Sequence, residues 1–233
     1  MAFYLATSPG YPDRANEDFA AASAHTAVLL DGSGIPEEFD KGCHHGVAWF
    51  ARTVGALILA EATDGRLLTD AVATAIGTVA GLHSHTCDLA NPNTPSATLV
   101  AVHFTPHAVD YLLLGDSTLV LDPGNGVPWA ITDERFAEVS RSITAAGATT
   151  RRERHQARTA WHNTPGGYWT VCADPRVAEE ARTGSVPLVE LAGLALFSDG
   201  ASRGVDLFAH SSWRATMDLL GDKGPNVAAR PGS

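Results

Sequence analysis

The chain has 233 residues, of which 45% are hydrophobic and 18% charged. At roughly 150 residues per domain this is one domain or slightly more, apolar enough for a sizeable core and too apolar for general disorder. Against 26 Asp and Glu stand 16 Lys and Arg, a net charge of −10; broad binding to a nucleic-acid backbone is excluded, while a local cation site is not, because divalent metals take clustered carboxylates.

The start, Met1-Ala2-Phe3-Tyr4-Leu5, has no basic stretch leading into a long apolar run, so no leader is expected. No apolar run approaches the roughly 18 residues of a membrane span, and the expected location is cytoplasmic, without a membrane partner. Short strands are expected at Ala2–Ala6, Phe19–Ala22 and Ala27–Leu30. A helix is read over Cys43–Glu61, where Val47, Phe50, Ala51, Val54, Leu57 and Ile58 recur at helical spacing. A second is read over Thr69–Asp88, capped by Thr69, with Val72, Ile76 and Val79 on one face. Strands Ala97–Phe104 and Val109–Leu114 form a hairpin around Pro106, and Thr118–Leu121 follows. Helices are read at Glu134–Gly147, Thr149–Asn163, Ser202–Phe208 and Trp213–Leu220, and strands at Tyr168–Cys172 and Leu194–Phe197. Helices that fall between clusters of strands suit packed sheets with flanking helices better than a strand-helix-strand repeat.

Three of the apolar strands end in acidic turns. They read Leu30-Asp31-Gly32-Ser33-Gly34, Leu114-Gly115-Asp116-Ser117 and Phe197-Ser198-Asp199-Gly200. Each puts a carboxylate where a buried strand meets a flexible turn, and carboxylates gathered there repel one another unless a cation neutralises them. Hard ions such as Mg²⁺ or Mn²⁺ take oxygen ligands, and a Gly beside an Asp lets the backbone carbonyl approach an ion unhindered by a Cβ. A single Asp-Gly is ordinary turn chemistry; three, with Asn16-Glu17-Asp18 besides, form a pattern.

In this order and spacing, Arg14-Ala15-Asn16-Glu17-Asp18, Leu30-Asp31-Gly32-Ser33-Gly34, Ser96-Ala97-Thr98, Leu114-Gly115-Asp116-Ser117 and Phe197-Ser198-Asp199-Gly200 resemble the motifs of the metal-dependent (type 2C, PPM) serine/threonine protein phosphatases. The resemblance spans residues 1–220 as one domain, with 221–233 an irregular tail. It implies an α+β fold, a four-layer αββα sandwich of two antiparallel sheets flanked by helices. It implies hydrolysis of phosphoserine and phosphothreonine on a phosphoprotein by water activated between two Mg²⁺ or Mn²⁺ ions, in a bacterial-type signalling enzyme with a monomer as the default state. Asp31 would bridge the two ions, the Gly32 carbonyl would bind one of them, and Asp199 would ligate the first. Glu17 and Asp18 would serve the second, Asp116 would help a weaker third, and Arg14 would clamp the substrate phosphate. A closing strand with a further metal-binding Asp is also implied. The tail Gly224-Pro225-Asn226-Val227-Ala228-Ala229-Arg230 carries no such acidic strand. The chain is therefore read as a truncated or divergent member, and the alternative is an impaired phosphatase-fold module that binds a phosphoprotein without turnover. A general acid is sought at His44 or His45.

Other signals compete. Gly200-Ala201-Ser202-Arg203-Gly204 matches a serine-hydrolase elbow, but the only later His, His210, is too near in sequence to complete a triad. Three cysteines, Cys43, Cys87 and Cys172, make no CxxC pair and no disulfide scaffold. Cys43-His44-His45 and His83-Ser84-His85-Thr86-Cys87 suggest zinc, although His83 also continues the apolar stripe of its helix, and a satisfied core histidine is the simpler reading. Arg151, Arg152, Arg154 and Arg158 read as a solvated helix face, with phosphopeptide docking as the alternative. The aromatic, Gly-rich Trp161–Trp169 segment reads as a turn whose Trp rings fill the edge of the core, or as a substrate-facing flap.

Overall fold

A computed structural model describes residues 2–10, 13, 15–36, 38–206 and 212–227. Among the described residues, eight strands form two antiparallel sheets. The larger sheet has five strands: β1 (Phe19–Ala22), β2 (Thr26–Gly32), β3 (Ala97–Phe104), β4 (Ala108–Leu114) and β7 (Arg182–Pro187), in the order β1-β2-β3-β4-β7. The smaller has three: β5 (Thr118–Asp122), β6 (Trp129–Ile131) and β8 (Gly193–Phe197), in the order β6-β5-β8.

The two-residue period of the strands assigns the layers. On one face of the large sheet Val28, Leu30, Leu99, Ala101, Leu112 and Leu114 pack with Phe50, Val54 and Ile58 of helix α1 (Val47–Glu61) and with Val72, Ile76 and Val79 of helix α2 (Leu68–His83). On the other face Ala27, Val100, Val102, Val109 and Leu113 meet Leu119, Leu121, Leu194 and Leu196 of the small sheet. The far side of the small sheet carries helix α6 (Trp213–Lys223). Its Trp213 ring lies 5.5 Å from that of Phe197, and its Arg214 pairs with Asp122. The result is the expected αββα sandwich.

Several local expectations change. Residues 2–9 form no strand; Phe3 instead sets its ring 5.7 Å from Phe104 at the sandwich edge. Helix α1 starts at Val47, after Gly46 with φ +80°, so Cys43–Gly46 is loop. Helix α2 starts at Leu68 without a side-chain cap from Thr69 and ends at His83, so Cys87 lies beyond it. Tyr168–Cys172 is not a strand; Tyr168 makes an isolated bridge to His162 and Val171 one to Ala97. Two strands escaped the pattern: β6 has three residues, and β7 alternates between exposed and half-buried positions at a sheet edge, where alternation leaves little apolar signal. Helix α6 continues past Leu220 to Lys223, and a 3₁₀ turn follows at Pro225–Val227.

Helices α3 (Arg135–Ala145) and α4 (Arg151–Thr159) are shorter than their expected ranges and share a small core of Val139, Ile143, Phe136 and Tyr168. Buried Asp133 fixes the start of α3 through Arg135 and reaches Arg182 of β7 at 3.4 Å, while Arg135 donates to the Glu180 carbonyl at 2.7 Å. Helix α4 is held by a full capping box between Thr150 and Glu153.

Candidate active site

Register brings the acids together. β1 and β2 pair antiparallel with Phe19 opposite Leu30, so Asp18, one step before Phe19, stands beside Asp31, one step after Leu30. Asp31 faces Thr98 on β3, and Leu99 faces Leu114 on β4, so the same row runs on into Gly115-Asp116. From the second sheet, Phe197 pairs with Thr118, which sets the end of β8 and Asp199 beside the turn that carries Asp116. Asp31, Asp116 and Asp199 line one cleft of about 250 Å³.

Two glycines make this approach feasible. A Cβ on Gly32 would lie 2.6 Å from the Glu17 carbonyl oxygen and 2.4 Å from a Val47 methyl, so the strand carrying Asp31 and the segment carrying Glu17 touch backbone to backbone. The missing Cβ thus has a packing cause of its own. Gly115 sits at φ +82°, a left-handed turn that favours glycine, and any Cβ there would strike Thr98 at 2.7 Å. Thr98 and Ser117 share a 2.6 Å hydroxyl contact that braces the same turn. Glu17 lies close by: a Cβ on Gly34 would be 3.2 Å from its Oε2.

The electrostatics follow. Burial pushes the Asp31 carboxyl up to about 9, helped by the charges of Asp18, Asp199 and Asp116. Burial also raises Asp18, opposed by the hydrogen bonds it accepts from the Asp31 side chain and the Gly32 N–H. A proton held by Asp31 and shared with Asp18 therefore partly offsets the like charge of the cluster. Hard oxygen donors that retain a proton so far above their ordinary range fit a hard divalent cation, which would displace that proton.

The walls come from the loops and from α3 and α4. Gly34, Ile35, Asn93, Thr94 and Ser96 line one side, and Phe136, His155, Arg158, His162 and Tyr168 the other. Arg158 lies with its guanidinium 5.0 Å from the Phe136 ring centre, and among the described residues its buried Nε has no hydrogen-bond partner. His155 Nε2 is 2.9 Å from Asn93 Oδ1. His162 Nε2 is 2.6 Å from Thr170 Oγ1, and burial pushes its pKa down to about 4.

The site differs from the sequence reading in its histidines and in Arg158. Neither His44 nor His45 lines the cleft; among the described residues its histidines are His155 and His162, which no motif marked. Arg14 lies outside the described residues. Arg158, one of a run read as solvated, faces the cleft, and only its place on α4 distinguishes it from its neighbours. Ser202 is buried within α5 (Asp199–Asp206), with its hydroxyl 3.4 Å from the Asp199 carbonyl, so it is no exposed nucleophile. In the Trp161–Trp169 segment both readings hold in part: Trp169 packs against the core, whereas Tyr168 faces the cleft.

A two-sheet sandwich that gathers acids from both sheets around one cleft defines a protein suited to divalent cations. The family model for protein phosphatase 2C matches residues 13–229. The chain belongs to that family, the metal-dependent protein serine/threonine phosphatases. Among solved structures, the PPM Ser-Thr phosphatase MsPP from Mycobacterium smegmatis, in complex with cacodylate, is 25% identical with a TM-score of 0.56, over 99% of this chain and 90% of that one. The Mycobacterium tuberculosis serine/threonine phosphatase PstP/Ppp is 20% identical with a TM-score of 0.62, over 97% and 91%. Serine/threonine phosphatase Stp1 from Staphylococcus aureus is 17% identical with a TM-score of 0.58, over 96% and 89%. No curated protein matches by sequence. Among the described residues no helix is long and apolar enough to cross a membrane.

Proposed function

We propose that this phosphatase domain, residues 1–220, acts on phosphoserine and phosphothreonine of phosphoproteins as a monomeric, cytoplasmic, bacterial-type signalling enzyme, and that its metal ligands are Asp31, Asp199, Glu17, Asp18 and the Gly32 carbonyl. Asp31 would bridge two Mg²⁺ or Mn²⁺ ions, Asp199 would complete the first, Glu17 and Asp18 would serve the second, and Asp116 would serve a weaker third. The observation that carries this reading is the row of acids across both sheets, with Asp31 driven to hold a proton up to about 9. The catalytic domain of the serine/threonine protein phosphatase PstP, 19% identical to this chain, was solved in complex with two manganese ions, which supports this reading.

When bound, such cations lower the pKa of a water at the site and offset the charge of a phosphoryl group. The chain's own residues do the rest. The acids stay fixed at strand ends, so little reorganisation is needed as charge develops. Arg158, held over the Phe136 ring and with its Nε unpartnered among the described residues, would meet an oxygen of the substrate phosphate. Arg14 is proposed to share that task. Tyr168 and Phe136 narrow the cleft beside the phosphate, leaving an open mouth for a side chain presented by a peptide.

The test is phosphate release from a phosphothreonine peptide with Mn²⁺, in the wild type and in Asp31→Ala and Asp199→Ala. Loss in both variants and on chelation supports the assignment; activity that survives both substitutions and chelator overturns it. Manganese binding without phosphate release by the wild type would favour the binding-module alternative.

A further inference from the structure

Away from the acidic cleft, a second group of donors converges. Cys43 and His45 lie on the loop between β2 and α1, and His83 and Cys87 lie at and just beyond the end of α2. The four ligand atoms all fall within 4.8 Å of one another. The Cys43 and Cys87 sulfurs are 3.1 Å apart, Cys43 Sγ is 3.4 Å from His83 Nδ1 and 3.6 Å from His45 Nδ1, and Cys87 Sγ is 3.4 Å from His45 Nδ1. A tetrahedral zinc with bonds of about 2.3 Å to sulfur and 2.0–2.1 Å to nitrogen has ligand–ligand edges of roughly 3.3–3.8 Å. The cluster is already close to that size.

The surroundings point the same way. His83 is fully buried, and its Nδ1 is turned onto the Cys43 sulfur. Thiols are weak donors and acceptors, so two imidazoles, one buried and one half-buried, turned onto two thiols are poorly served by hydrogen bonding alone. The Trp49 ring covers the group at 4.4 Å from the His45 ring and 5.1 Å from that of His83. A disulfide accounts for less: the sulfurs stand beyond the bond length of about 2.05 Å, and such a bond would leave both Nδ1 atoms facing sulfurs that donate nothing. Two thiolates and two imidazoles in tetrahedral array select zinc over the hard ions that suit the acidic cleft.

We propose that Cys43, His45, His83 and Cys87 form a structural zinc site that fastens the rim of the cleft. Four protein ligands close the coordination shell, so the site holds structure and does not hydrolyse. It ties together the two loops that supply one wall. The first runs from Asp31-Gly32 through Gly34 and Ile35 to Cys43; the second runs from Cys87 through Asn93, Thr94 and Ser96 into β3. The two loops already touch at a 2.8 Å hydrogen bond from the Asp88 N–H to the Gly42 carbonyl, and a Cβ on Gly42 would meet that of Asn91 at 2.6 Å. Zinc binding would release the two thiol protons and set this contact. The reading is independent of the phosphatase assignment.

The test uses the full chain, purified with a thiol reductant, supplied with equimolar Zn²⁺ and dialysed against Mg²⁺. Native mass spectrometry should find about one zinc per chain. Co²⁺ in its place should give the thiolate charge-transfer band and intense visible bands of a tetrahedral S₂N₂ site, a readout on the wild type that needs no variant. Both signals should disappear in Cys43→Ser/Cys87→Ser and persist in Asp31→Asn. Zinc lost on dialysis, a weak octahedral cobalt spectrum, a Cys43–Cys87 disulfide in the reduced preparation, or zinc retained by the double Cys variant would each overturn the proposal.

Discussion

The molecule gathers two sets of ligands with opposite chemistry. The acidic cleft draws carboxylates from four strand ends on two sheets and leaves them facing an open mouth. The Cys/His group draws on one loop and one helix end, under a Trp ring. In the first, the polypeptide bears a cost to hold like charges together: Asp31 is pushed up to about 9 by burial and by its acidic neighbours. In the second, burial raises the Cys43 thiol and lowers the His83 imidazole, so both favour their neutral forms, and binding would add stability. A site that does chemistry keeps an unfavourable arrangement and open positions; a site that holds structure closes its shell.

The sharpest way to break this contrast is to remove ligands from each. Asp31→Ala and Asp199→Ala should cost more than about 100-fold in kcat/KM, above the range usual for residues that only support a ligand, while the zinc content stays unchanged. Equal losses of activity and zinc in these variants would merge the two sites into one.

Stability should move in opposite directions. In the metal-free protein the folded state holds a proton on Asp31 between about 4, its unfolded value, and about 9. The folded state binds more protons over that window, so stability falls as pH rises through it. Asp31→Asn removes the penalty, and at pH 8 without Mg²⁺ or Mn²⁺ it should raise Tm by about 4–8 °C, for on the order of 2 kcal/mol in a chain of this size. Cys43→Ser should lower the Tm of the zinc-loaded protein by a similar amount. Differential scanning calorimetry on both variants checks the signs.

Manganese affinity sharpens the point further. Because binding displaces the proton from Asp31, affinity should rise about tenfold per pH unit below about pH 9, and calorimetry in buffers of different ionisation enthalpy should count one released proton. Affinity that does not vary with pH would mean that Asp31 is already ionised.

The smallest effect is expected at the wall. Arg158→Ala should raise KM for a phosphopeptide by about tenfold with little change in kcat, since the cation meets phosphate in both ground and transition states. Arg158→Lys should recover part of it, because the charge is kept but the planar fork is lost. A kcat effect alone would place Arg158 elsewhere in the reaction.

Much of this was legible in the sequence because strands are local and periodic. The alternation in Leu99-Val100-Ala101-Val102 already separates two apolar faces, and a strand with two apolar faces must be covered on both sides. The Asp-Gly and Gly-Asp turns that end three of the strands announced the acidic cluster, because each carboxylate lies within two residues of an apolar run. Tertiary structure alone decided which side chains look inward. Arg158 is chemically no different from Arg151 or Arg154; only the packing of α4 on Phe136 and Tyr168 turns it to the cleft. His155 and His162 carry no motif and reach the site through that same packing. His45, by contrast, sits near Asp31 in sequence but is carried away by the loop to meet Cys87. Spacing along the chain fixes neighbours within an element, whereas a site is built from elements whose ends meet, and where those ends meet is set by register and by core packing across the whole chain.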